Sequence, residues 1–113
     1  MAKYVPKQGE IVWLDFNPQK GHEQAGKRPA LVLSPTRYNK TTGLMLCCPI
    51  TSQVKGYPFE VSMDDARGVS GVALVDQIKC LDWNARNAQR KSKATSESLV
   101  EALAKAKTLL EPE

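Results

Sequence analysis

The chain of 113 residues is poor in several things that enzymes and secreted proteins commonly use. It has one histidine, His22, so no histidine pair and no H-x-x-x-H spacing can hold a metal. It has three cysteines, Cys47, Cys48 and Cys80, an odd number without a C-x-x-C spacing, which excludes a paired disulfide framework and the common zinc arrangements. Neighbouring residues of a strand point to opposite faces, so Cys47 and Cys48 do not share one metal site, and all three read as buried, reduced thiols. No apolar run approaches the ~18 residues that a membrane span requires, and the first residues, Met-Ala-Lys-Tyr-Val-Pro, contain no apolar signal core. Nucleophile elbow, phosphate-binding glycine loop, internal repeat and low-complexity tract are all missing. The expectation is a cytoplasmic protein that needs no metal and no cofactor, with the whole of residues 1–113 forming a single domain.

Several runs read as strands. Residues 11–16, 30–33 and 44–50 are nearly continuous apolar runs that suit buried strands, each closed by turn residues. Residues 59–63 alternate apolar and polar, and 71–75 and 78–83 give two more short strands separated by Asp76 and Gln77. Pro29 is expected at the first position of its strand, because it cannot donate to a ladder, and Pro49 at an edge or a bulge. Residues 36–43 allow one helical turn. Residues 64–68 read as a turn whose Asp64 and Asp65 are solvated. Only 95–110 reads as a good helix, with Leu99, Leu103, Ala106 and Leu110 on one face, Thr95 or Ser96 as cap, Glu97 in the first turn and Lys105 and Lys107 near its negative end. The fold class is therefore mainly β with an α+β element: a small antiparallel β-barrel or curled sheet with a C-terminal helix.

Polar groups concentrate in two places. Residues 21–29, Gly-His-Glu-Gln-Ala-Gly-Lys-Arg-Pro, lie between two strands and deliver Lys27 and Arg28 to the start of the second. Residues 84–93 hold Arg86, Arg90, Lys91 and Lys93 and no acid, which suits a solvated twisting strand or loop and equally a phosphate-facing stripe. The formal net charge is +4. So few catalytic groups still suffice for one reaction. RNA carries its own nucleophile, the 2′-hydroxyl, so the protein need only align it, stabilise charge on the phosphoryl oxygens and help two protons move. A planar guanidinium suits those oxygens, and Arg28 heading the second strand and Thr51 ending the third are plausible partners if the strands are neighbours. A surface ion pair for Arg28 and a local turn for Thr51 are the plainer alternatives.

Ordered blocks carry a resemblance. Gly9-Glu10-Ile11-Val12-Trp13-Leu14-Asp15-Phe16, then Gly21-His22-Glu23-Gln24 to Arg28-Pro29-Ala30-Leu31-Val32-Leu33-Ser34, then Pro49-Ile50-Thr51-Ser52 and Lys55-Gly56-Tyr57-Pro58-Phe59-Glu60-Val61, resemble the MazF/PemK toxin family. Gly71-Val72-Ala73-Leu74-Val75-Asp76-Gln77-Ile78-Lys79 extends the match. The resemblance implies an SH3-like barrel that dimerises with itself. It implies a metal-independent endoribonuclease, the toxin half of a type II toxin–antitoxin pair, which cuts single-stranded RNA and leaves a 2′,3′-cyclic phosphate and a 5′-hydroxyl. It assigns catalysis to Arg28 and Thr51, and on chemical grounds Glu23 or His22 is a better proton acceptor than a guanidinium; Glu23 is taken as the third catalytic group. The RNA-binding residues expected from it are Asn17, Lys20, His22, Gln24, Lys27, Ser52, Gln53, Lys55, Gln77 and Lys79. The implied partners are single-stranded RNA and an acidic antitoxin, with no membrane. Two other readings compete: a CcdB-like toxin that binds gyrase, disfavoured by the ending Leu109-Leu110-Glu111-Pro112-Glu113, and a non-catalytic RNA-binding barrel.

Overall fold

The computed structural model describes residues 4–15, 26–64 and 66–113. Seven strands and two α-helices follow one another: β1 (Glu10–Asp15), β2 (Lys27–Val32), α1 (Thr36–Thr42), β3 (Leu44–Thr51), β4 (Glu60–Ser62), β5 (Val72–Leu74), β6 (Lys79–Asp82), β7 (Gln89–Lys93) and α2 (Ser96–Thr108). A single 3₁₀ turn, Val75–Gln77, separates β5 from β6. The strands form one antiparallel sheet in the order β4-β5-β3-β2-β1-β7, and β6 also pairs with β3. The fold is thus the expected mainly-β sheet with a C-terminal helix. Among the described residues β4, β6 and β7 each take only one strand neighbour, so hydrogen bonds do not close the sheet into a full barrel.

β3 is shared by three neighbours. One edge pairs with β2; the other pairs with β6 from Leu44 to Cys47 and then with β5 at Ile50 and Thr51. Leu46 O accepts from Leu33 N–H on the β2 side at 2.8 Å. Residues of a strand alternate in the edge to which their N–H and C=O point, so Pro49 faces the other edge, in the gap where β6 has left and β5 has not begun. A residue without N–H costs nothing there. Pro29 obeys the same rule. Val32 O accepts from Gly9 N–H beside β1 at 2.8 Å, so Pro29 faces β3, just past the last β2–β3 pair, Ala30 with Pro49. Pro29 is therefore the third residue of β2 rather than its first, and the strand starts at Lys27, three residues before the apolar run. Its remaining pairing partner, β1, holds the extra residues.

Alternation gives the sheet two apolar faces. Ile11, Leu31, Leu33, Cys48 and Ile50 lie in one cluster with Val61, Met63, Ala73 and Ala102. Val12, Leu14, Ala30, Val32, Met45 and Cys47 form the other, covered by Trp83, Tyr4 and Val5. Cys47 and Cys48 divide between the faces as expected, and burial pushes the Cys47 thiol up to about 12 and the Cys48 thiol higher. Cys80 corrects the reading of three buried thiols: it is exposed on β6, opposite Leu46, which is itself 40% exposed.

α2 packs across the first cluster. Thr95 caps it, accepting from Ser98 N–H at 3.1 Å. Its inner face is Ala102, fully buried, with Leu103 and Ala106, and Leu99 stands 2.9 Å from where a side chain on Gly9 would begin. Leu110, expected on that face, is 84% exposed because the helix ends at Thr108.

Asn39, on α1, is a fully buried polar hub. Its Nδ2 donates to Pro6 O at 2.9 Å and Ser34 O at 3.3 Å, while its Oδ1 accepts from Ser34 Oγ. Its carbonyl accepts from Trp83 Nε1 at 2.9 Å and from Gly43 N–H at 3.0 Å, ending α1. The N-terminal segment, β2, α1 and the residues after β6 meet at this one side chain and its backbone. Asn39→Ala removes the amide from two buried carbonyls and the acceptor from the Ser34 hydroxyl, which keeps only Leu46 N–H as donor to it, and is expected to lower stability by ~3 kcal/mol in urea unfolding; a loss under ~1 kcal/mol would contradict the hub.

Candidate functional site

β2 and β3 carry the two main sequence candidates to the same end of the sheet. Their pairing runs Val32–Cys47, Leu31–Cys48, Ala30–Pro49. The ladder stops there; the same register counted on two residues makes Arg28 level with Thr51, both still within their strands. By alternation both stand on the face of Ala30, Cys47 and Leu14, extending the second cluster's rows past its apolar end. Arg28 pairs in register with Leu14 of β1 and is exposed, and among the described residues no carboxylate forms an ion pair with it. Thr51 Oγ accepts from Gln53 N–H at 3.1 Å, the local turn of the plainer reading, which leaves its O–H free to donate.

The end of β3 is held by backbone rather than by side chains. Gly71 has φ +105°, and a Cβ there would lie 2.1 Å from Thr51 O and 2.8 Å from its carbonyl carbon. Only glycine permits this approach. Asp64 is an exposed turn residue, as expected, and in addition its Oδ1 accepts from Gly71 N–H at 2.9 Å and so pins the glycine.

A cleft of about 190 Å³ opens beside Thr51, lined by Gln53, Lys55, Tyr57, Glu60, Leu74, Asp76 and Gln77. Glu60 shapes it by accepting from Lys55 N–H at 3.1 Å and Gly56 N–H at 2.9 Å, closing the 52–59 loop. Lys55 Nζ stands 5.9 Å from the centre of the Tyr57 ring. Thus Thr51, Gln53, Lys55 and Gln77 are brought together, and Ser52 and Lys79 are not among the lining: Ser52 is exposed beside Thr51, and Lys79 pairs with Cys47 on β6. Lys27 Nζ donates instead to Gln89 Oε1 at 3.1 Å, toward β7. Asn17, Lys20, His22, Glu23 and Gln24 lie outside the described residues. Tyr57, Glu60 and Asp76 are cleft residues that the sequence reading passed over. Asp76 carried a signal, a polar residue interrupting two buried strands, but its place beside Thr51 depends on the 3₁₀ turn that follows β5.

Cations, amides, hydroxyls and one aromatic ring, with the acids Glu60 and Asp76 among them, at one end of a small antiparallel sheet make a surface suited to a single-stranded phosphodiester chain. The chain belongs to the family of PemK-like, MazF-like toxins of type II toxin–antitoxin systems, whose family model matches residues 7–110. It is similar to the endoribonuclease toxin MazF of Escherichia coli (strain K12), 49% identical over 110 residues that cover 97% of this chain and 98% of the relative. The endoribonuclease toxin ChpB of the same strain is 37% identical over 111 residues, covering 93% and 94%. Among solved structures, a chain of MazE–MazF from Deinococcus radiodurans superposes with a TM-score of 0.86 at 47% identity, covering 98% of this chain and 100% of that one. MazF from the same organism gives 0.84 at 54% identity, covering 96% and 98%.

Gly71→Ala must displace Thr51 and is expected to cut RNA cleavage at least tenfold. Gly43→Ala is the control: it meets nothing within 4 Å, although its φ of +75° is also positive. It costs only about 1 kcal/mol of helix termination and leaves cleavage intact. Equal cleavage by the two variants would remove the Thr51 backbone from the site.

Proposed function

We propose that this MazF-type endoribonuclease toxin cuts single-stranded RNA in the cytoplasm, without metal, by in-line attack of a 2′-hydroxyl on the adjacent phosphorus, with Arg28 and Thr51 as the catalytic pair. The new bond is O2′–P and the broken bond is P–O5′, so the products are a 2′,3′-cyclic phosphate and a 5′-hydroxyl. One proton leaves the 2′-hydroxyl and one arrives at the 5′ oxygen. The observation that supports the reading is the β2–β3 register, which ends at Ala30–Pro49 and, counted on two residues, brings Arg28 level with Thr51, itself in the lining of the Lys55–Gln77 cleft.

Arg28 is always protonated, so its role is to hold the phosphoryl oxygens as negative charge grows on them and to donate toward the departing oxygen. Thr51 adds its free O–H to the same cradle. The proton acceptor has to be a carboxylate or an imidazole. Glu23, four residues before β2 begins at Lys27, has the right chemistry and a place in the family's motif; Asp76 has the right chemistry and lines the cleft that Thr51 borders. Lys55, Gln53 and Gln77, with Lys27, Lys20, Asn17, His22, Gln24, Ser52 and Lys79 as further contacts, would carry the flanking nucleotides. A formal charge of +4 suits an acidic antitoxin as the partner that covers this surface. The MazE–MazF complexes of D. radiodurans support that partner, and a homodimer is the assembly proposed for it.

Incubation with a long single-stranded RNA in EDTA is expected to yield discrete fragments ending in cyclic phosphate; protection without cutting would favour a non-catalytic RNA-binding protein. Arg28→Ala is expected to lose ~3 kcal/mol of transition-state stabilisation, about 10²-fold in rate, as when an oxyanion donor is removed. Near-normal cleavage by that variant would sink the assignment. Glu23→Gln and Asp76→Asn identify the base: the variant that loses the acidic limb of the pH–rate profile carried the proton, and a profile unchanged in both excludes the two carboxylates.

A further inference from the structure

The 52–59 loop that walls the Thr51 cleft has no apolar anchor along most of its length. Residues 52–58 are all exposed, Val54 and Tyr57 included. A loop that buries so little is ordered by its polar bonds. The side chain that closes this one is Glu60. Its Oε2 accepts from Lys55 N–H at 3.1 Å and its Oε1 from Gly56 N–H at 2.9 Å. Two successive N–H groups, the second on a glycine at φ +82°, make a concavity fit for an anion, and this carboxylate fills it. Glu60 is in turn held by its backbone: it pairs with Leu74 on β5, its N–H donates to Tyr57 O at 3.1 Å, and its carbonyl accepts from Lys105 Nζ of α2 at 3.0 Å.

Charge alone argues against this arrangement. A cleft suited to phosphates is lined by two acids, Glu60 and Asp76, and like charges brought together oppose binding. The conflict is resolved by the part of Lys55 that the carboxylate takes. Glu60 accepts from the backbone N–H, and among the described residues the Lys55 ammonium makes no ion pair. The ammonium therefore keeps its charge for an anion. It stands 5.9 Å from the centre of the Tyr57 ring, in the turn that Glu60 N–H closes. Cation and ring, the two groups that hold the phosphate and base of a single strand, are thus both placed by residue 60, the first by its side chain and the second by its backbone. A loop already ordered in the folded protein does not have to be ordered again when RNA binds.

We propose that Glu60 is a positioning residue for RNA: it makes no contact with the substrate, and its carboxylate, committed to the N–H groups of Lys55 and Gly56, fixes Lys55 at the cleft for a nucleotide next to the cleaved step. This rests on the reading of the Thr51 cleft as the seat of the flanking nucleotides. The competing account makes Glu60 only an acid on the cleft wall, and the two accounts predict opposite signs. Glu60→Gln keeps the size and removes the charge, but it offers one oxygen where two accepted and turns an NH₂ toward an N–H. By charge alone that variant binds RNA more tightly; by positioning it binds less tightly.

The probe is a fluorescent single-stranded RNA of about 20 nucleotides with 2′-O-methyl groups, which removes the nucleophile. Its Kd is measured for the unaltered protein, Glu60→Gln, Lys55→Gln, the double variant and Glu97→Gln, the last an exposed acid in the first turn of α2 that makes the same change of charge. Glu60→Gln is expected to raise Kd by about three- to tenfold, since the loop and its lysine are then ordered at binding rather than at folding. Lys55→Gln raises it as well, and the double variant falls well short of the product of the two losses, because the Glu60 side chain acts through that lysine. Glu97→Gln leaves Kd unchanged. Equal or tighter binding by Glu60→Gln overturns the proposal, as does a double variant whose loss equals the product, or a weakening that Glu97→Gln reproduces. Amide exchange by NMR checks the clasp with no substitution at all: the Lys55 and Gly56 N–H groups are expected to be protected and that of Val54, on the same loop, not, and equal exchange overturns it. If the unaltered protein neither binds this RNA nor cuts an unmodified one in EDTA, the function assigned to the cleft fails and takes the positioning role with it, a result distinct from a change of sign in a protein that does cut.

Discussion

One strand edge governs this molecule. β3 gives the same edge first to β6 and then to β5, and the change of partner falls on Pro49, which has no N–H to offer either. A straight strand in a flat sheet has no reason to exchange neighbours midway. Here the exchange lets β5, and β4 beyond it, turn away from β6 and fold over the first apolar face, where Val61, Met63 and Ala73 join Ile11, Leu31 and Ile50 in one cluster. The end of β3 is left with β5 alone on that edge and with the diverging start of β2 on the other. Thr51 stands at that end, and its carbonyl is approached so closely by Gly71 that the strand has no room to slide.

The two prolines therefore do more than punctuate. Pro29 ends the β2–β3 ladder and Pro49 marks the exchange, and between them they keep two central strands apolar and fully bonded up to the point where polar groups are needed. Beyond it, Arg28 and Thr51 follow the alternation of the second face but have left its buried cluster behind. The transition from core to cleft is made within two residues, without a loop, so the polar groups stand on strand ends that the packed core holds still. Rigid supports of this kind suit a reaction in which the substrate brings its own nucleophile and the protein supplies mainly fixed charge.

Much of this was legible beforehand. The apolar runs of β1, β2 and β3 are nearly continuous and bounded by turn residues, and the C-terminal helix has both its cap and its periodicity, so their existence followed from pattern alone. The blocks around Arg28 and Thr51 identified the family. What escaped was whatever depends on a neighbour. That β2 begins at Lys27 rests on β1, which offers partners to residues the β3 ladder has abandoned. Ala102, smaller than the leucines around it, is the most deeply buried residue of α2 because the helix sits close on the sheet there, a fact of packing that no moment reveals. Asn39 looks like an ordinary turn polar residue, and Glu60 like the solvent-side acid of an alternating strand, until the segments around them are in place.

Two of the sheet's outer edges, β4 and β7, bear on how copies of the protein meet one another. β4 is only three residues long, and α2 covers it: Ser98 Oγ donates to Ser62 O at 3.1 Å and Lys105 Nζ to Glu60 O at 3.0 Å. β7 is bulged and bears Arg90, Lys91 and Lys93. A short capped edge and a bent cationic one both refuse a further strand. Self-association by edge pairing, the route to runaway aggregation of sheet proteins, is thereby discouraged at β4 and β7, which leaves β6, paired with β3 alone, as the strand edge that is neither capped nor bulged among the described residues.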